Sequence, residues 1–143
     1  MAAAIYLEGI REYQAGMIDA LLGEESAREG IFAIVRYHLM WVKQHPDWAR
    51  FLFQKRHAEY MDDTEEEMKR LNAGFARAMA GWFKPHIRAG KIKPLPWDLF
   101  MSLLLGPCQE FSRQYVSGRA ATDMNEAVGV IGEAAWAALG MDD

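Results

Sequence analysis

Residues 103–119, LLLGPCQEFSRQYVSGR, hold the densest mixture of reactive and polar side chains in this 143-residue chain. Cys108, the only cysteine, follows a Gly106-Pro107 break and precedes Gln109, Glu110, Ser112, Arg113 and Gln114. A cysteine nucleophile needs a base and a setting that stabilises the thiolate, and no histidine lies in this segment. Leu104, Cys108, Phe111 and Tyr115 recur at spacings of four, three and four, which puts Cys108 on an apolar helical stripe as an inert small hydrophobe. Pro107 has no N–H and clashes with the carbonyl four residues back, so it should bend the helix at Leu103. The polar residues from Gln109 to Gln114 then belong to a second face, turned toward something other than open core.

The other chemically capable groups are dispersed. His38, His45, His57 and His86 show no three- or four-residue spacing that would put two metal ligands on one helix face. The run Asp62, Asp63, Glu65, Glu66, Glu67 lacks the central glycine and alternating oxygen ligands of a calcium loop, and reads as a solvated helix start. His38 falls on an apolar stripe and needs a hydrogen-bond partner or a ligand; a satisfied core histidine is the simpler expectation. No glycine-rich phosphate loop is present. Catalysis, metal binding and a cofactor are all unsupported.

Composition narrows the class further. With 16 Lys and Arg against 20 Asp and Glu, the net charge of -4 argues against broad phosphate-backbone binding. The one basic cluster, Lys84, His86, Arg88, Lys91 and Lys93, sits where Pro85, Gly90 and Pro94 should end a helix and suits the negative end of its dipole. The length is that of a single domain, 1–143, with a core of its own. One cysteine excludes an intramolecular disulfide, no signal-peptide pattern is seen, and the apolar runs are too short for a membrane span, so the expected setting is the cytoplasm. Nine methionines and seventeen aromatic residues, five Trp, five Tyr and seven Phe, suit an adaptable apolar cavity or simply a core.

These side chains must be positioned by helices. Tyr6, Ile10, Tyr13, Met17 and Leu21 carry a first helix over 2–22. Ser26 with Glu29 caps a second, striped by Ile31, Ile34, Val35, His38, Leu39 and Val42. Pro46 and Asp47 start a third, bearing Trp48, Phe51, Leu52, Lys55 and Tyr60. Thr64 with Glu67 should cap the longest helix, lined by Met68, Leu71, Phe75, Met79, Trp82 and Phe83. A fifth spans 97–116 and stops at Gly118, and Thr122 or Asp123 caps a sixth that runs to about Leu139. Small residues cover most of that last helix, which therefore needs more than one packing partner. The expectation is an all-α chain of about six helices, with no alternating strand pattern.

Three segments, AAIYLEGIREYQAG, YHLMWVKQHPDWARFLF and LLLGPCQEFSRQYVSGR, resemble the helical C-terminal domain of TetR-type transcriptional regulators. The resemblance implies a regulator, a repressor by expectation, whose helix-turn-helix binds DNA while this domain senses a small apolar or aromatic effector and forms a homodimer. The helix-turn-helix should precede the first helix and is not found in this chain, which would touch DNA only through such a module. The last two helices would pair with their copies as a four-helix bundle, with Glu110, Arg113, Gln114, Ser117, Ala127, Val130, Ile131 and Ala134 as interface candidates. The effector pocket would be built from Tyr13, Met17, His38, Trp41, Phe53, His57, Phe75, Met79 and Phe83, with Cys108 and Phe111 closing one wall. The alternative is a stand-alone dimerisation module that sequesters a related regulator. A small helical enzyme would need a polar catalytic group of perturbed pKa inside a cavity.

Overall fold

The computed structural model describes residues 2–54 and 61–141, with side chains described for 4–52 and 65–141. Six helices follow one another: α1 (Ala2–Leu22), α2 (Ala27–Gln44), α3 (Pro46–Gln54), α4 (Met61–Arg88), α5 (Trp97–Val116) and α6 (Met124–Leu139). Among the described residues the only extended pairing is an isolated bridge between Ile92 and Gly140. The all-α expectation therefore holds. So do the boundaries of α1, α5 and α6.

Local chemistry explains most helix ends. Ser26 Oγ accepts from the Glu29 N–H at 3.1 Å, and Asp123 Oδ1 accepts from the Glu126 N–H at 2.9 Å. Each side chain satisfies a first-turn donor that has no partner within its helix. At the other ends, Gly90 and Gly118 take positive φ of 77° and 79°. These left-handed residues let the Lys91 N–H reach the His86 carbonyl and the Arg119 N–H reach the Gln114 carbonyl, both at 2.9 Å, closing the last turns of α4 and α5.

Two expectations at α4 are corrected. The helix already runs from Met61, which leaves Thr64 inside it rather than at its cap; Glu67 instead pairs with Arg70 and Arg11. Pro85 does not end α4, which continues through it to Arg88. Pro107 likewise lies within an unbroken α5. The Lys55, His57 and Tyr60 expectations lie outside the described residues, as do the side chains of Phe53, Asp62 and Asp63.

Helix α2 is the central element, packing on α1, α3, α5 and α6. Its Gly30 lies beneath the Trp82 ring of α4, where an added Cβ would come within 2.2 Å of the ring. Across the other seam, Phe32 of α2 sits over Gly132 of α6. The core between these helices is filled by Met17, Leu21, Ile31, Ile34, Leu39, Met79, Phe83, Phe100 and Leu104, all buried. Interiors pack at the density of organic crystals, so such a core has one arrangement and resists change of volume. The loop after α4 is clasped to the end of α6: the Lys93 N–H donates to the Leu139 carbonyl and the Met141 N–H to the Lys91 carbonyl, each at 2.9 Å.

Candidate functional site

Three helices bring a polar relay into this apolar interior. Tyr13 of α1, His38 of α2 and Ser112 of α5 are buried together, with Tyr13 Oη 2.5 Å from His38 Nδ1 and Ser112 Oγ 3.0 Å from His38 Nε2. Both imidazole nitrogens are therefore engaged, as a buried histidine requires. In one tautomer Tyr13 donates to Nδ1 and Nε2–H donates to Ser112; in the other both directions reverse. Trp41 packs edge-on against Tyr13 with ring centroids 5.4 Å apart. Among the described residues no buried side-chain nitrogen or oxygen lacks a partner.

Burial sets the electrostatics. It lowers His38 from 6.5 to about 4, so the ring is neutral at neutral pH. It raises the Tyr13 phenol well above its ordinary value, with the nearby Cys108 adding to the effect. The Cys108 thiol is pushed up from 9.0 to about 12 and leans on the Leu104 carbonyl at 3.8 Å. A thiol so held carries almost no thiolate, which removes the condition for nucleophilic attack. The relay joins three helices through two buried hydrogen bonds between neutral groups.

Of the effector candidates, Tyr13, Met17, His38, Trp41, Met79, Phe83 and Cys108 are buried, and Phe75 and Phe111 are half-buried. Phe75 borders an open groove of about 400 Å³ between α1 and α4, and Trp41 borders one of about 410 Å³ beside α1 and α2. The relay brings Tyr13, His38 and Cys108 into one neighbourhood, and Phe83, in the same core, packs 4.9 Å from Phe100 by ring centroid.

The expectation that Ser112 belongs to the second, polar face with Gln109 to Gln114 is corrected: it is fully buried. The buried line of α5 runs Leu104, Cys108, Ser112, Val116, a strict spacing of four, leaving Phe111 and Tyr115 on its flank. That spacing was visible in the sequence. A serine in the line, facing a histidine in the line of α2, was the signal for the relay.

The interface candidates divide in the same way. Glu110, Arg113 and Ser117 are exposed and Gln114 half-buried. Arg113 Nη2 and Gln114 Nε2 donate to Glu110 Oε2 at 2.6 and 3.0 Å, so this polar set is satisfied along its own helix. On α6, Val130 is 62% exposed and Ala134 exposed, with Ile131 half-buried. Ala127, at 4% exposure, packs in the core of the protomer. Leu99 and Leu103, one turn apart on α5, are 53% and 42% exposed.

The architecture has known counterparts. A TetR family transcription regulator from Marinobacter aquaeolei VT8 superposes with a TM-score of 0.79 over 99% of this chain and 72% of its own, at 17% identity. This is a TetR-like fold. A protein of unknown function from Rhodococcus sp. RHA1 matches similarly, with a TM-score of 0.80 over 98% of this chain and 72% of its own, at 15% identity. No protein-family model and no curated protein matches the sequence. Among the described residues no helix is long and apolar enough to cross a membrane, and no three His, Cys, Asp or Glu side chains gather as a metal set.

Proposed function

We propose that this chain is the effector-sensing and dimerisation domain of a TetR-type transcriptional regulator. The observation that carries the reading is the likeness of nearly the whole chain to about three-quarters of a TetR family regulator. DNA contact would come from a helix-turn-helix outside these 143 residues, which fits the acidic balance of the chain.

Dimerisation is supported by the outer face of α5 and α6. Leu99 and Leu103 on α5 and Val130 on α6 expose large apolar side chains, and Ala134 of α6 is exposed as well. Exposed apolar side chains on two helices that pack together suit an association site, and a two-fold axis would let these helices meet their copies as a four-helix bundle. Sensing is supported by the relay: a small molecule with an apolar body and one hydrogen-bonding group would find Tyr13, His38 and Ser112 within a shell of apolar side chains. The effector would act by favouring one of two arrangements of the helices, which demands different affinity for each.

The test is native mass spectrometry of the chain beside a variant carrying L103D and V130D. The chain should run as a dimer and the variant as a folded monomer, since both side chains are exposed in the protomer. A monomeric wild-type chain would overturn the dimer. Failure of a panel of neutral aromatic compounds to bind or raise the melting temperature would overturn sensing.

A further inference from the structure

A second cleft lies away from the relay, where the start of α2, the end of α4 and the end of α6 converge. It measures about 500 Å³, within the range of small-molecule sites, and is lined by Ala27, Ala89, Trp136 and Met141 below Arg28, His86 and Lys91. The basic cluster of the sequence, which the proposed function leaves unused, supplies two of these residues.

Arg28 is the feature that gives the cleft a chemistry. Its guanidinium carbon stands 4.9 Å from the centre of the Phe32 ring and 5.9 Å from that of Trp136, while Nη2 donates to Glu133 Oε1 at 2.6 Å. Two aromatic faces and one carboxylate thus hold the fork in place. The bond to Glu133 uses one of five N–H groups, and the other four make no hydrogen bond to the protein among the described residues. An ordered, partly engaged guanidinium beside an apolar floor matches a planar carboxylate attached to a ring. His86, tilted against Trp82 with ring centroids 4.4 Å apart and held below its usual pKa by partial burial, offers a neutral hydrogen-bonding edge. Glu133 competes for the fork, but its carboxylate is 62% exposed and takes only one position on it.

We propose that this cleft binds a small aromatic carboxylate, its ring against Trp136 and its carboxylate on the free edge of Arg28. The site is independent of the proposed effector site around His38 and stands or falls separately. The experiment is a titration of the isotope-labelled chain with 2-naphthoate, followed by amide and indole NMR shifts, with uncharged 2-naphthylmethanol as the comparison.

Saturable shifts confined to Ala27, Arg28, Ala89, Lys91 and Trp136 are expected, with the alcohol binding roughly tenfold weaker. R28Q should weaken 2-naphthoate by about the same factor, and A89F, which fills the floor from an exposed position, should abolish the shifts; the spectrum of each variant reports that it is folded. Equal binding of the alcohol, unchanged binding by R28Q, shifts centred on Tyr13 and His38, or no shifts up to about 10 mM ligand would each overturn the proposal.

Discussion

Protonating His38 should loosen the whole helical assembly, and the size of the effect follows from its burial. In the folded chain its pKa falls to about 4, against 6.5 when exposed. Above pH 6.5 neither state holds the proton, so stability does not depend on this ring. Between pH 6.5 and about 4 only the unfolded state is protonated, and stability falls as the pH falls. Below about 4 both states carry the proton and the slope ends. A gap of two to three pKa units corresponds to about 3 kcal/mol, a large part of the ~5–15 kcal/mol that holds a domain folded. Urea unfolding at a series of pH values, for the wild-type chain and for H38Q, isolates the contribution, because every other titrating group is common to both. The wild type should lose about 2–3 kcal/mol more than H38Q between pH 7.5 and 4.5. Parallel curves would refute the sealed, neutral histidine, as would an NMR titration of the His38 ring near pH 6.5.

Two further outcomes test the packing around the relay. Gly30→Ala would place a Cβ 2.2 Å from Trp82, whose ring is wedged against Phe83 and His86, so the chain should lose ~1–3 kcal/mol and several degrees of melting temperature; a rise in melting temperature would mean that the ring yields and helix propensity wins. Cys108, raised from 9.0 to about 12, should react with a disulfide reagent about 1,000-fold more slowly than a free thiol, with urea restoring the ordinary rate, and a fast reaction in the folded chain would contradict its burial.

The helices were legible because their signals are local. Ser26 and Asp123 lie beside the donors they cap, and Gly90 and Gly118 mark the left-handed stops of α4 and α5. Thr64 misled for the same reason: it matches a capping pattern, yet α4 begins three residues earlier. The relay was half legible. The stripe of α2 showed that His38 is buried, but its partners lie 25 and 74 residues away and belong to tertiary structure. The cleft at Arg28 was hidden altogether, since residues 28, 91 and 136 meet only when three helix ends converge. Nor does the period of α6 alone reveal that Ala127 is buried while Val130 is exposed, because small apolar residues cover both sides of that helix.

The packing of α2 gives the proposed sensing a physical route. The same helix bears His38 at the relay, Phe32 against Gly132 of α6, and Gly30 under Trp82 of α4. At Gly132 an added Cβ would meet the Phe32 ring within 2.5 Å, so the two helices are in contact at the limit of approach. Interfaces packed this closely move as units rather than deform. An effector that displaced Tyr13 or Ser112 from His38 would therefore act on α2 as a whole, and through Phe32 on the helix that carries Val130. Such entry is costly: each buried relay group left unpaired would cost about 1–3 kcal/mol, a tenfold loss of affinity for every 1.4 kcal/mol. A molecule that restores those hydrogen bonds avoids the penalty, whereas a purely apolar one of equal size does not. An effector entering at His38 would thus need a hydrogen-bonding group as strictly as an apolar body.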